Sequence, residues 1–461
     1  MYLNSNIIYD STFAGYKKID VEVSVPIANL GTTTTNFIFT AFNDLGVGPN
    51  DKQTVAYTTL KYPHTMDLEG TSVFDKIYLE DHPSQTKSLF EFTGFNTSGG
   101  ALFYDLTNNK RIRVVQSGPI YQCLVPNAGG EKECFVSSAN QITNIASLEG
   151  VNGGTGTFTD FGATPIDSAY IIITHPTLLT EANDYAIYRS NPPLNIPVQN
   201  AVVYNIEDLY DQFAYGVDHH ANTIRAFVDF AKANWVIDPD YLFIIGKGRE
   251  YQTYRNNTAV RNACLVPTFG QPGSDNLLAA DNLSDAPNIG IGRIAATNAG
   301  QIGIYLEKVI QYETEQNNSG DPFQTVANKE YMKQILHFGG GGTASQQVQF
   351  RGYLDNFKSI AQDTLWGANT YSVYKPNSNP LQNIQSEILR ERIDEGVSLI
   401  TFFGHSYAGG FDLSFDEPEN YTNVGKYPVY LANGCNAGAI HSAGTSISER
   451  FIFADQKGAI A

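Results

Sequence analysis

Apolar and polar positions follow one pattern up to about Gln122 and another after Pro165. In the first stretch Ile19, Val21, Val23 and Val25 alternate with polar residues, as do Phe37 and Phe39. Lys76 to Leu79, Ala101 to Tyr104 and Arg111 to Val115 continue the alternation, separated by turn-rich runs such as Leu45 to Asp51 and Thr107 to Lys110. Short strands at this spacing predict a sandwich or barrel-like β domain, and no constellation within it points to chemistry. The Gly/Thr-rich run Gly150 to Thr157, followed by Gly162-Ala-Thr-Pro165, reads as a boundary loop. A phosphate cradle does not fit those glycines, because no Lys-Ser/Thr pair and no strand-to-helix context follows them.

After Pro165 strands and helices alternate. Ala169 to Thr174 reads as a strand, Leu179 to Arg189 as a helix and Val198 to Tyr204 as a strand. Asp218 is placed to cap a helix whose Ile224, Phe227, Val228 and Ala231 share one face. Strands Tyr241 to Ile245 and Ile289 to Ile291 and a helix Ile302 to Tyr312 complete a first round. The second round has strand Gln334 to Phe338, helix Gln346 to Leu365, strand Thr370 to Tyr374 and helix Leu381 to Glu395. Strands Val397 to Phe403 and Tyr427 to Ala432 follow, and Ser446-Ile-Ser-Glu449 is a capping box opening a last helix with Ile447, Phe451 and Ile452 on its buried side. Such alternation predicts doubly wound sheets with helices on both faces. A chain of 461 residues exceeds the ~250–300 at which single cores stop growing. The expected division is an all-β domain over 1–164 and two α/β subdomains over 165–325 and 326–461.

Charge narrows the function. With 47 acidic against 29 basic residues and a formal net charge of −18, the chain is a poor partner for nucleic acid, whose binding is driven by Lys and Arg. No stretch of ~20 apolar residues is present to span a membrane. Met1-Tyr-Leu-Asn-Ser5 lacks the basic and apolar regions of a signal peptide, and Lys457 to Ala461 reads as a strand just starting. The start leaves either a cytosolic protein or an internal piece of a longer exported precursor, and the end leads us to expect the second. Four cysteines are too few for a disulfide scaffold. Cys123 and Cys134, eleven residues apart around a turn, are either a disulfide or two buried thiols, and Cys264 reads as a buried thiol.

Chemistry concentrates where two apolar strands end. Val397 to Phe403 runs into Gly404-His405-Ser406, and Tyr427 to Ala432 runs into Asn433-Gly434-Cys435. Near-continuous apolar runs bounded by Gly and Asn read as buried strands of a parallel sheet, whose ligands sit beyond the carboxyl ends. If the two strands are neighbours, His405 and Cys435 project from one rim, where an imidazole can take the thiol proton. A cysteine nucleophile needs this, since the thiolate is the attacking species.

These residues resemble the gingipain-like cysteine peptidases, family C25 of the caspase-like clan. The likeness rests on Gly404-His405, on Gly434-Cys435 followed by Gly438, and upstream on Tyr170 to His175, Ile206 to Arg225 and Gly290 to Ile294. It implies an α/β caspase/gingipain-like catalytic unit of two doubly wound subdomains with mostly parallel sheets, preceded by the all-β domain. It further implies a catalytic pair of His405 and Cys435, oxyanion donors in the backbone N–H groups of Ser406 and Cys435, and no required cofactor. Three positions depart from the family. Ser406 stands where Gly is usual, Gly339 to Gly342 offer no carboxylate for a third catalytic member, and Ala344 to Gln349 are uncharged where arginine-specific members have an Asp. The resemblance is strongest to the branch that acts as the type IX secretion sortase. For that branch it implies a cell-surface enzyme, beside an outer-membrane β-barrel partner, that removes C-terminal sorting domains from secreted proteins. The acyl group then passes through a Cys thioester to anionic lipopolysaccharide. A non-catalytic surface scaffold or adhesion protein that keeps the fold is the alternative.

Other readings carry less. Gly339 to Gly342 after a strand is a weak dinucleotide signal. His405, Cys435 and His441 lack the spacings of a zinc site. His219-His220 opens an amphipathic helix, where solvent-facing histidines are ordinary. Asp275, Asn276, Asp281 and Asp285 could hold a structural Ca²⁺ through hard oxygens, or form a solvated acidic loop.

Overall fold

A computed structural model of the protein describes residues 1–12, 19–42, 55–162, 169–193, 195–280, 286–317, 325–376, 382–383, 387–414 and 417–461. The chain separates into two compact units, Met1–Ser147 and Leu148–Ala461.

In the first unit all described sheets are antiparallel. One has four strands, in the order Val73–Leu79, Lys132–Ser138, Ala101–Asp105, Lys110–Ile112. Another has three, in the order Lys87–Phe92, Ile120–Pro126, Val114–Ser117. Alternation puts Phe90, Phe92, Cys123 and Val125 of the second and Phe103, Cys134 and Val136 of the first into one shared core. Cys123 and Cys134 are both free and buried there, each thiol pushed up to about 12 by burial. The alternating Ile19 to Val25 segment forms no strand, and Ile19 and Val21 stay exposed. Period-two patterning becomes a strand only where another strand completes its hydrogen bonds. Phe37–Ile38 is a short strand beside Tyr2–Leu3.

The second unit is built on two four-stranded parallel sheets. The first has the order Asn200–Asn205, Ala169–Thr174, Tyr241–Ile245, Gly290–Ile294. Ile171, Ile173, Leu242 and Ile244 face the helices Ile206–Phe213 and Asn222–Asn234. Ile172, Phe243 and Ile245 face Leu179–Ser190 and Ala299–Asn317 on the other side. Because successive side chains point to opposite faces, a run such as Tyr-Ile-Ile-Ile must be apolar throughout when helices cover both. Asp218 does not cap the Asn222–Asn234 helix, whose N-cap is Ala221 with no side-chain bond. The Gly150 to Thr157 run, read from sequence as a boundary loop at the end of the β domain, lies in this second unit, which starts at Leu148. Phe161 is buried among Tyr204, Phe213 and Phe227, its carbonyl accepts the Trp235 indole N–H, and Asn152 N–H donates to Asp211. Residues 163–168, which contain the expected boundary at Pro165, lie outside the described residues.

The second sheet has the order Asn369–Tyr374, Gln334–Gly339, Leu399–Phe403, Val429–Asn433. Leu336, Phe338, Ile400 and Phe402 face the helices Glu387–Glu395 and Ile447–Phe453. The helix Ala344–Ala361 packs on Gln334–Gly339 and Asn369–Tyr374, and its Phe350 and Tyr353 meet Phe403 from the opposite face. Of the helix expected over Leu381 to Glu395, Glu387–Glu395 is helical, and Gln382–Asn383 pairs instead with Leu413–Ser414; Leu381 and 384–386 lie outside the described residues. The Ser446 capping box forms with both of its hydrogen bonds. The last residues lie against the sheet edge, Ile460 N–H donating to Pro428 and Tyr430 N–H to Ala461. No helix among the described residues is long and apolar enough to cross a membrane.

If Phe161 closes the core of the second unit, Phe161→Ala should destabilise that unit by about 3–5 kcal/mol in denaturant unfolding. A loss under about 1 kcal/mol would show that the preceding segment is a tether only.

Candidate functional site

Strand register builds the site. Leu399–Phe403 and Val429–Asn433 are adjacent and parallel, with Phe403 opposite Asn433. Two residues further along each chain stand His405 and Cys435, and the His405 ring meets Phe350, which also meets Phe403. The Ser406 hydroxyl donates to the Cys435 carbonyl at 2.7 Å, tying the two strand ends together. His405 and Cys435 are both exposed, whereas the other three cysteines are buried. The thiol and the imidazole do not hydrogen-bond each other. Contacts of this kind often tighten only when substrate binds.

Each strand end needs its glycine. A Cβ on Gly434 would lie 2.3 Å from Ser406 Oγ, so any larger residue would break the tie between the strands. A Cβ on Gly404 would lie 2.8 Å from Asp412 Oδ1 and 2.7 Å from Phe402 Cζ.

That Asp412 carboxylate, buried behind the histidine, went unnoticed in the sequence. It ends a hairpin in which Ser406–Tyr407 pairs with Gly410–Phe411. Oδ1 accepts the His405 backbone N–H at 3.2 Å and Oδ2 accepts the Gly341 N–H at 2.9 Å. Lys375, fully buried at the end of Asn369–Tyr374, reaches Oδ2 at 3.3 Å. Asp412 N–H donates to the His405 carbonyl at 2.8 Å, which makes 405 and 412 a hydrogen-bonded pair and 406 and 411 a non-bonded one. Ser406 N–H therefore points away from its hairpin partner.

The imidazole is held by the Ala344–Ala361 helix. His405 Nε2 lies 3.1 Å from Gln346 Oε1, and Phe350, one turn on, meets the ring at 6.0 Å between centroids. No sequence signal singled out Gln346 beyond its place in an uncharged segment.

The loop after Cys435 is fixed from the first sheet. Lys247, just past Tyr241–Ile245, donates to the Gly444 carbonyl at 2.7 Å and to Glu449 at 2.5 Å, and Arg249 donates to the Ser442 carbonyl. His441 lies in this seam, 3.8 Å from Asp275 and close to Gly248 and Gly273, not beside His405 and Cys435. Among the described residues no three His, Cys, Asp or Glu side chains are grouped to hold a metal ion. Asp275 is engaged elsewhere: both its oxygens accept Arg293, at 2.8 and 2.9 Å, and it accepts the Thr268 hydroxyl. Asp281 and Asp285 lie outside the described residues. His219 is half-buried, with Nε2 2.9 Å from the Cys264 carbonyl.

A thiol and an imidazole at neighbouring ends of a parallel sheet are the groups that cysteine nucleophile chemistry uses. The sequence profile of peptidase family C25 matches residues 163–461, well over half of the chain, and the chain belongs to that family. Similar solved structures include the complex of RgpB pro- and mature domains from Porphyromonas gingivalis, at 15% identity and a TM-score of 0.46, covering 63% of this chain and 62% of that one. The Arg-specific cysteine proteinase gingipain R (RgpB) is similar at 16% identity and a TM-score of 0.45, covering 64% and 63%. The chain thus spans less than two thirds of the length of either. No curated protein matches it.

Two predictions follow from this wiring. Asp412→Ala leaves Lys375 buried without its partner and should cost about 3–5 kcal/mol in denaturant unfolding, most of it recovered by adding Lys375→Met. Equal losses in the single and double variants would mean that the pair does not hold the site. His441 is pushed down to about 4, chiefly by burial, with Arg293, Lys247 and Arg249 adding to the effect and Asp275 opposing it. The unfolded chain therefore binds a proton that the folded chain refuses between about pH 6.5 and 4. Stability should fall as pH drops through that window, by on the order of 3 kcal/mol, and His441→Gln should flatten the fall. Parallel profiles for the two proteins would contradict it.

Proposed function

We propose that this chain is the catalytic part of a cell-surface cysteine peptidase and transpeptidase, a sortase of the PorU branch of family C25. One observation supports the reading: Phe403 pairs with Asn433, two residues before an exposed histidine on one strand and, on its neighbour, the exposed cysteine of the four. Cys435 is the nucleophile and His405 the proton shuttle. The Sγ proton passes to the imidazole, and the thiolate attacks the scissile carbonyl carbon. The oxyanion is met by the backbone N–H groups of Ser406 and Cys435. Collapse breaks the C–N bond, the imidazolium gives its proton to the leaving amine, and a thioester remains on Cys435.

The sortase assignment rests on what the site lacks for trypsin-like preference. The helix start beside His405 carries Gln346 and Gln347 and no carboxylate to receive a basic side chain. Substrates would be secreted proteins bearing C-terminal sorting domains. The acceptor amine would lie on anionic lipopolysaccharide, and an outer-membrane β-barrel would be the docking partner of an exported chain. No step in this chemistry calls for a cofactor.

Cys435→Ala should abolish cleavage of a sorting-domain protein and formation of the thioester while the thermal transition stays in place. Undiminished cleavage by that variant would remove Cys435 from the mechanism. Iodoacetamide should label Cys435 with a rate that depends on His405. A thiol of pKa near ~8.5, indifferent to His405→Ala, would instead mark a non-catalytic scaffold.

A further inference from the structure

We propose that Gln346 is the positioning residue that fixes the tautomer and plane of His405, with a neutral amide in place of a carboxylate; the role rests on the peptidase reading of the site. Gly342 N–H donates to Gln346 Oε1 at 3.0 Å, which identifies that atom as the oxygen of the side-chain amide. An amide oxygen only accepts, so its 3.1 Å contact with His405 Nε2 requires a hydrogen on Nε2. The neutral imidazole then carries its lone pair on Nδ1, the nitrogen left to take the thiol proton.

The helix that supplies Gln346 is rigid at this point. Thr343 caps it, accepting Gln346 N–H at 3.2 Å, and Phe350 sits on the ring at an interplanar angle of 70°. One helix thus sets the imidazole by a hydrogen bond and by a ring contact a turn later.

Charge distinguishes this arrangement from a carboxylate-backed histidine. From the hairpin, Asp412 meets the backbone N–H of His405 and is paired with Lys375. From the helix, Arg351 lies over the Tyr374 ring, and Gln346 and Phe350 are uncharged. The Gly339 to Gly342 turn carries no side chain, and the neighbouring strand end brings the Cys435 thiol. Among the described residues no carboxylate hydrogen-bonds the imidazole. Gln346 orders the base with a neutral acceptor.

The test uses the full chain, with iodoacetamide as probe of Cys435 between pH 4 and 10 and ¹⁵N NMR of the His405 ring. The wild type should show the tautomer protonated on Nε2. Gln346→Ala should mix the tautomers and slow alkylation at pH 7 by about tenfold or more. Gln346→Glu should keep the tautomer and raise the acid limb of the profile by about one pH unit, because a nearby carboxylate favours imidazolium. A wild type protonated on Nδ1, or a Gln346→Ala protein with unchanged tautomer and profile, would overturn the proposal. Failure of the peptidase reading has a separate signature, an alkylation rate unaffected by His405→Ala, and in that case the NMR result alone still decides whether Gln346 sets the ring.

Discussion

A single buried carboxylate organises the rim on which the site stands. Asp412 takes one backbone N–H from the end of the Gln334–Gly339 strand region, at Gly341, and another from the end of Leu399–Phe403, at His405. Lys375 brings the end of Asn369–Tyr374 to the same oxygen that Gly341 meets. Three of the four strands of the second sheet therefore finish on one anion. A carboxylate taken out of water needs this many donors, because burial without them would cost several kcal/mol. The same requirement explains the small residues around it, since no Cβ fits at Gly404. Position of the histidine backbone is thus a consequence of satisfying a charge, not of any contact made by the imidazole.

The fourth strand joins through the Ser406 hydroxyl on the Cys435 carbonyl, and the loop beyond Cys435 is held from the other sheet by Lys247 and Arg249. The sheet supplying those cations bears neither reacting group, yet it shapes the wall next to the nucleophile. Glu449 serves two purposes here: it closes the capping box with Ser446 N–H at 2.7 Å and it receives Lys247 at 2.5 Å. Helix initiation and the joining of the two sheets share one side chain.

The readable parts of the chain were those in which local pattern and tertiary demand coincide. Tyr-Ile-Ile-Ile-Thr is apolar on both faces because both faces are covered, and it is a central strand. The Ser446 cap is written within four residues and formed as written. Ile19 to Val25 has the alternation of a strand and forms none, so its pattern carried no information on pairing. Gln382–Asn383 looks like the start of a helix until Leu413–Ser414 is beside it. Phe161, in a segment with the composition of a linker, belongs to a core because Phe213 and Phe227 leave a place for it.

By itself the sequence determined the α/β alternation, the apolar strands leading to Gly404-His405 and Gly434-Cys435, and the family, since all of these are contiguous patterns that local periodicity and short motifs express. Tertiary structure alone decided that Phe403 faces Asn433, that Asp412 and Lys375 meet under the rim, and that Gln346 rather than an acid stands beside His405. The polar contacts join residues 37 and 59 positions apart, and polar groups so separated have no period to betray them. Their pairing is set by which donors and acceptors burial leaves without water.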